Sequence, residues 1–265
     1  MDDRAQRALW NIRKQQRHWA ESRGIELDPD GLVPDVASNL FAELCAETRR
    51  ELERDPTRPL GEHGKPARLR ALESTEALVL NFFAPWRSGN VAEVAALCGA
   101  DPRATRLCFA TPGADVLFEG DAARPTAVVA TFAEPYAEVD GRLDGSELEP
   151  PERWRELPGC LHLARDLVHG ARRFRTLEVG RLLARARDLG QRFGVRGFRM
   201  LYVWFESEGA AAHLHRVELD RLRMRIGGEV DFATRTWQDL FRALGKAEVG
   251  YSRDLEERYF PRTGP

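Results

Sequence analysis

Residues 106–133 read RLCFATPGADVLFEGDAARPTAVVATFA and contain three short apolar runs separated by turn residues. Runs of this length, bounded by Gly, Pro and Asp, are typical of neighbouring β-strands. The three predicted strands are residues 106–109, 115–118 and 126–133. The Pro112-Gly113 pair marks the first turn, so Asp115 opens the second strand.

Apolar residues at helical spacing lie on both sides of these strands. The predicted helices are residues 5–21, 34–52, 77–83, 91–97, 160–174, 177–193, 211–226, 237–244 and 254–259. A fourth strand reads FRMLYVWF at residues 198–205, and a short fifth strand covers 230–234. This order of helices, three strands, helices, strand and further helices predicts an α/β fold with a mixed central sheet flanked by helices. Residues 1–60 are predicted to form an N-terminal helical extension that packs on a domain of residues 61–265, giving one globular unit.

The charges nearly cancel over the whole chain, with 40 Lys and Arg against 42 Asp and Glu. This balance excludes a protein that binds nucleic acid through overall basicity. The charges are segregated, however. Residues 112–152 hold ten acids and two Arg, a net of −8, and residues 153–199 hold twelve Arg and four acids, a net of +8. Such asymmetry indicates a partner or a polar site. The alternative is that the Arg-rich helices are solvated faces, or that the two blocks pair with each other in the fold.

The N-terminus and the cysteines indicate a cytoplasmic protein. Met1-Asp2-Asp3-Arg4 is charged and does not resemble the start of a signal peptide. No run reaches the ~18 apolar residues of a membrane helix, so we expect no membrane partner. The four cysteines contain no CxxC pair, which is typical of reduced thiols rather than of a disulfide frame or a zinc site.

The order of the elements, with an Asp at the start of the second strand, resembles the PD-(D/E)XK restriction-endonuclease-like superfamily. Several local segments are also similar to those of a bacterial restriction-endonuclease-like family. They are GE (61–62), STEALVLNFFAPW (74–86), EPY (134–136), LYVW (201–204), HRVE (215–218) and WQDLF (237–241). The resemblance implies a restriction-endonuclease-like αβββαβ core and a nucleic-acid partner, most simply DNA, with a homodimer as a candidate assembly.

Nucleases of this superfamily hydrolyse a phosphodiester bond with Mg²⁺ held by carboxylates. The resemblance implies an Asp on one strand, and a Glu and a Lys two residues apart on the next strand, where both point to the same face. Asp115 matches the Asp, although an Asp after a turn also serves as a turn cap. Aligning EPY with the family places Val129 where the Glu is expected and Thr131 where the Lys is expected. Neither side chain is charged, so we expect the metal site to be degraded.

Other residues could replace the missing ligands. If the second strand is regular, Glu119 lies on the same face as Asp115, and Glu134 follows the third strand. The candidate Mg²⁺ ligands are therefore Asp115, Glu119 and Glu134. Further oxygens could come from Glu62, Glu73 or Glu76. Arg165 is a candidate cation for the phosphate but not a base, because the pKa of an Arg is too high. The candidate catalytic residues are Asp115, Glu134 and Arg165.

One predicted helix carries a stripe of His and Arg. His162, Arg165, His169 and Arg172 recur at i, i+3, i+7 and i+10, so they share one face. These four residues are candidates for contacts with nucleic-acid phosphates. A solvated helix face is the alternative interpretation of the same stripe.

Three functions are compatible with these residues. The first, which we favour, is a restriction-endonuclease-like pseudoenzyme that has a degraded metal site and binds nucleic acid or a partner protein in DNA processing or defence. The second is an active Mg²⁺-dependent endonuclease that hydrolyses phosphodiester bonds with relocated ligands. The third is a non-catalytic assembly module that binds no nucleic acid.

Overall fold

The computed structural model describes residues 3–55, 57, 59–62, 66–121, 123–137, 148, 150–169, 178–245 and 250–260. Its centre is a five-stranded sheet. The strands are β1 (Arg106–Thr111), β2 (Ala114–Glu119), β3 (Thr126–Thr131), β4 (Arg199–Trp204) and β5 (Asp231–Thr236). They lie side by side in chain order, and β2 runs antiparallel to both of its neighbours while β3, β4 and β5 are parallel. The predicted mixed central sheet is therefore confirmed.

Helices surround this sheet close to the positions that the apolar spacing predicts. Within the described residues they are α1 (Asp3–Ser22), α2 (Ala46–Arg54), α3 (Thr75–Phe83), α4 (Val91–Leu97), α5 (Pro158–Val168), α6 (Glu178–Phe193), α7 (Ala210–Ile226), α8 (Trp237–Leu244) and α9 (Ser252–Tyr259). None of the helices in this part of the chain is both long enough and apolar enough to cross a membrane.

The single helix predicted over residues 34–52 is wrong. The chain forms a short 3₁₀ helix, Ala37–Asn39, and then an extended segment before α2 begins. Asn39 explains the break, because its side-chain amide donates hydrogen bonds to the carbonyl oxygens of Leu69 and Ala71, at 2.6 and 2.8 Å. Tertiary hydrogen bonds to a later segment thus outweigh the helical spacing of the apolar residues.

Alternate residues of the strands face two separate hydrophobic layers. On one face, α3, α4 and α8 pack with side chains that include Val116, Phe118 and Val128. On the other face, α5, α6 and α7 cover Leu117 and Val129. The sheet is therefore the middle layer between two layers of helices.

The N-terminal helices share the hydrophobic core of the sheet. Ile12 of α1 and Leu52 of α2 belong to the same buried cluster as α3 and the strands. In addition, α1 is tied to α9, because Gln15 and Gln16 both donate to the backbone oxygen of Arg258, at 2.8 and 3.0 Å. The two ends of the described chain are thus fixed to each other.

The turn between β1 and β2 brings α6 onto the start of β2. Gly113 has a φ of 86°, in the left-handed region that favours glycine. A Cβ at this position would lie 2.8 Å from Cγ of Leu189 and 3.0 Å from the backbone oxygen of Arg185. The predicted Pro-Gly turn therefore also allows α6 to approach β2 closely, and this approach places Arg185 beside Asp115.

Candidate functional site

Four carboxylates from four different elements influence one another near the start of β2 and the end of β3. They are Glu76 of α3, Asp115 of β2, Glu134 after β3 and Glu178 of α6, and we call them the carboxylate cluster. Burial raises the pKa of Glu76 and of Glu178, and the charges of Asp115 and Glu134 raise both further. Glu76 and Glu178 are therefore desolvated, and each lies within electrostatic range of Asp115 and Glu134.

Asp115 lies at the start of β2, as the sequence predicts, and its carboxylate contacts both β3 and α6. One oxygen, Oδ2, accepts a hydrogen bond from the backbone N–H of Ala130 at 2.7 Å. The other, Oδ1, is 3.2 Å from Nη2 of Arg185. The side chain of Asp115 thus bonds across the sheet and to a helix rather than capping its own turn.

Glu134 connects the end of β3 to the beginning of α3. Its Oε2 accepts hydrogen bonds from the backbone N–H of Phe132 at 2.8 Å and from Oγ1 of Thr131 at 2.9 Å. The hydroxyl of Thr75 lies 2.7 and 2.8 Å from the two carboxylate oxygens. A single carboxylate therefore receives donors from two elements that are about sixty residues apart in the chain.

The two residues at the expected Glu and Lys positions are buried. Val129 is packed in the hydrophobic layer beneath α6, where it contributes only apolar contacts. Thr131 is 1% exposed, and its hydroxyl donates to Glu134. Neither residue adds a charge to the carboxylate cluster, so the negative charge there must be offset from elsewhere.

Arginines provide the opposing charge. Nη2 of Arg68 is 2.5 Å from Glu76, and Arg181 is 3.4 Å from Glu178. The interaction with Asp115 is the main reason why the pKa of Arg185 is raised. In the described residues, three of the four carboxylates thus have an arginine partner.

A small cavity of about 60 Å³ opens next to Asp115 and Arg185. Its walls also include Glu76, Thr75 and Phe109. Pockets that enclose a drug-sized ligand have volumes of roughly 300–1,000 Å³, so this cavity has room for a few water molecules but not for a nucleotide. Any larger ligand must approach the carboxylate cluster from outside.

Glu119 does not join this cluster. It occupies the last position of β2, whereas Asp115 is the second residue of that strand, so four residues and about 13 Å separate them. Glu119 forms ion pairs with Arg106, at 3.5 Å, and with Arg192 at the end of α6. Its position on the same face of the strand is as expected, but the length of the strand prevents it from sharing an ion with Asp115.

The described residues do not fit the Mg²⁺ ion that the resemblance implies. They contain no group of three or more His, Cys, Asp or Glu side chains arranged to hold a metal. Both oxygens of Asp115 accept from protein donors, and so do both oxygens of Glu134. A cation bound to Asp115 would also lie beside the guanidinium of Arg185, and like charges repel.

The predicted basic stripe is only partly within the described residues. His162, Arg165 and His169 are exposed on the outer face of α5 or directly after it, while Arg172 lies outside the described residues. In the described part of the chain, Asp115 pairs with Arg185 of α6, while Arg165 is exposed on α5. The reason is that α5 buries a different face, including Leu163, in the layer that it shares with α6 and α7.

Glu178 and Arg185 are the functional candidates that the sequence prediction missed. A signal for them exists in the spacing of α6, where Glu178, Leu182, Arg185 and Leu189 recur at i, i+4, i+7 and i+11. Both leucines are buried. Charged residues in phase with buried leucines on one helix face indicate a polar site inside the fold rather than a solvated surface.

We expect the protein to lose stability as the pH rises from 4.5 to about 7. Burial raises the pKa of Glu178 from its ordinary value of 4.5 to about 7. Over this interval the folded protein keeps a proton that the unfolded chain has released, so the free energy of unfolding falls by about 3 kcal/mol.

Urea unfolding at several pH values measures the slope of the free energy of unfolding against pH. Glu178→Gln should flatten it, and Glu53→Gln, at an exposed position of α2, should not. An unchanged slope in Glu178→Gln would contradict the assignment.

Comparisons of this chain with protein-family models, with curated proteins and with solved structures found no significant match.

Proposed function

We propose that this protein is a restriction-endonuclease-like pseudoenzyme that binds nucleic acid, most simply DNA, without cleaving it. The order of the helices α3 and α4, the strands β1–β3, the helices α5 and α6, and then β4 supports the proposal, as does an Asp at the start of β2. A fold of this kind supports many functions, so the residues of the site must indicate which one applies.

The observation that carries the proposal is the ion pair between Asp115 and Arg185. Where the superfamily resemblance implies a carboxylate for Mg²⁺, this chain has a carboxylate engaged by a guanidinium. An Arg is permanently charged and keeps its proton, so it neutralises Asp115 without activating water. With Val129 and Thr131 at the expected Glu and Lys positions, the site retains its place in the fold without the groups that hydrolysis requires.

The exposed stripe of α5 supports nucleic-acid binding. His162, Arg165 and His169 present nitrogen donors to the solvent, and such donors contact phosphates without reading the base sequence. Binding of this type releases counterions and weakens steeply as salt increases. The stripe is therefore compatible with a protein whose total charge is close to zero.

Two measurements test this function. In nuclease assays with single- and double-stranded DNA and with RNA, we expect no cleavage that depends on Mg²⁺ or Mn²⁺. In fluorescence-anisotropy titrations we expect binding whose logarithmic salt slope is about −0.9 for each phosphate contact on duplex DNA. Arg165→Glu should weaken this binding, and Arg253→Glu, at a position of α9 that is 86% exposed, is the matched control. Metal-dependent cleavage that disappears in Asp115→Ala would contradict the proposal.

An active endonuclease with relocated ligands is the second candidate. The observation in its favour is that Glu76, Asp115, Glu134 and Glu178 come from four elements and still influence one another. This candidate predicts that Asp115→Ala and Glu76→Gln both abolish cleavage. A protein that neither cleaves nor binds nucleic acid at low salt would instead be an assembly module.

A further inference from the structure

The outer face of α1 is basic and carries an exposed tryptophan. The residues of this surface recur at helical spacing, and we call them the Trp10 face. They are Arg7, Trp10, Lys14, Arg17 and His18, and all five are exposed. Arg7, Trp10, Lys14 and Arg17 follow one another at i, i+3, i+7 and i+10, so they form a continuous strip along the helix.

Trp10 differs from every other tryptophan of the chain. It is 58% exposed, whereas the remaining five of the six tryptophans are at most 6% exposed. These five are Trp19, Trp86, Trp154, Trp204 and Trp237. Leaving an indole in water forgoes the stabilisation that burial of this large apolar surface would give. The fold therefore presents Trp10 at a cost that contact with a partner could offset.

A cation already lies against the indole. Nζ of Lys14 is 4.9 Å from the centre of the Trp10 ring, which is within the range of a cation–π contact. A shallow groove of about 600 Å³ runs along the helix beside these two residues. Arg13 and Glu21 also border the groove, and the guanidinium of Arg13 pairs with Glu73 at 2.9 Å. Basic residues therefore outnumber the one acid of the groove lining.

The opposite face holds α1 firmly in place. Ile12 is buried in the main core, and Gln16 is buried with its side-chain amide bonded to the backbone oxygen of Arg258. The Trp10 face is therefore presented on a fixed helix, so a ligand would not have to order it first.

We infer that the Trp10 face binds single-stranded nucleic acid, with a base stacked on Trp10 and phosphates held by Arg7, Lys14 and Arg17. Single-strand binding sites combine a basic track with an aromatic ring, because every base has a stacking face and every nucleotide has a charge. With a rise of 1.5 Å per residue, the three cations span about 15 Å, a length that accommodates two to three nucleotides. This inference rests on the proposed nucleic-acid function and gives it a second, separate surface.

Other partners fit this face less well. Two copies of the chain related by a two-fold axis would bring Arg7, Lys14 and Arg17 against the same residues of the second copy, and like charges repel. A lipid surface would require an apolar stripe to insert, and Trp10 is the single apolar residue of this face. A polyanion with aromatic bases can pair with the cations of this face and also stack on the indole.

Tryptophan fluorescence tests the inference directly, because Trp10 is the exposed emitter. We expect acrylamide to quench Trp10 in the free protein, and a saturating thymidine oligonucleotide to protect it. Trp10→Ala should weaken binding of this oligonucleotide roughly 5- to 150-fold, the range expected for the loss of one stacked base. Met224→Ala, at a position of α7 that is 75% exposed, is the matched control and should bind like the wild type.

The possible results separate this inference from the proposed function. If the wild type binds the oligonucleotide, Trp10 stays quenchable and Trp10→Ala binds normally, the inference fails while the proposed function stands. If the wild type binds duplex DNA but not the oligonucleotide, the inference alone fails, and if it binds neither at low salt, both fail. Protection of Trp10 by polyglutamate to the same extent would assign the face to acidic proteins and would also overturn the inference.

Discussion

An Arg258→Ala variant is expected to lose about 5 kcal/mol of its free energy of unfolding, which is comparable to the whole stability of many domains. The side chain of Arg258 is completely buried. Its guanidinium donates four hydrogen bonds. Two go to Asn39, at 2.9 Å to the backbone oxygen and at 2.5 Å to the side-chain oxygen. The other two go to Oε1 of Gln16 at 3.0 Å and to the backbone oxygen of Leu72 at 3.2 Å. In the variant, the backbone oxygen of Asn39 keeps the side-chain amide of Asn81 as a donor, at 3.1 Å. Removing the guanidinium leaves the other three acceptors buried without these donors, at about 1 kcal/mol or more each, and leaves a cavity.

The aromatic residues around Arg258 add to this loss. The guanidinium carbon is 4.0 Å from the ring centre of Trp19 and 4.7 Å from that of Tyr259, so the positive charge is stabilised by two ring faces. Burial lowers the pKa of Arg258, because desolvation disfavours the charged guanidinium. The residue holds α1, the 3₁₀ helix Ala37–Asn39 and α9 together.

Urea unfolding followed by circular dichroism measures the effect. The matched control is Arg253→Ala, five residues earlier on α9, where the side chain is 86% exposed and pairs with Glu257. A surface pair of this type contributes only about 0.2–1 kcal/mol. If Arg258→Ala costs no more than Arg253→Ala, the buried arginine does not link the N-terminal and C-terminal helices as described.

A Glu134→Ala variant is expected to lose about 4 kcal/mol of its free energy of unfolding. Hydrogen bonds to a charged acceptor contribute about 1.5–3 kcal/mol each, and Glu134 accepts from Thr75, Thr131 and the backbone of Phe132. Thr75 and Thr131 are both buried, so their hydroxyls would lose an acceptor in a place that water reaches poorly. The contact between the start of α3 and the end of β3 would weaken.

Glu134→Gln is the informative companion variant. Its amide oxygen can still accept from Thr131 and Phe132, so we expect it to keep more than half of the stability that Glu134→Ala loses. A metal ligand behaves differently, because an amide coordinates Mg²⁺ more weakly than a carboxylate does. If Glu134→Gln is stable and the wild type nevertheless has a metal-dependent activity that this variant lacks, Glu134 has a catalytic role and the proposed function is wrong.

The sequence predicted the parts of the site that depend on local pattern. The turn at Pro112-Gly113 and the apolar run after it placed Asp115 at the start of β2 without any tertiary information. The sequence also showed directly that residues 128–132, at the end of β3 and just after it, contain no ionisable side chain. These features are local because a strand and its turn are specified by residues that are adjacent in the chain.

Arg185 and Glu178 were not predicted as site residues because the sequence shows them as two charges among many on an Arg-rich segment. The interpretation that the two oppositely charged blocks pair with each other proves partly correct, since Arg185 contacts Asp115 and Arg192 contacts Glu119. The pattern of charge alone could not select these pairs from the twelve arginines of residues 153–199. Which arginines reach the acids depends on how α6 lies across β2. The close packing of Leu189 against Gly113 determines that position.

By itself, the sequence determined the α/β order, the mixed sheet and the absence of charged side chains at Val129 and Thr131. The tertiary structure decided which charges are buried and which partners they have. Arg258 is one arginine among many in the sequence, and its hydrogen-bond acceptors lie between 186 and 242 residues away. The physical reason is that secondary structure follows from local pattern. Whether a charged side chain is ionised, buried and paired depends instead on desolvation and on neighbours that only the packed fold brings together.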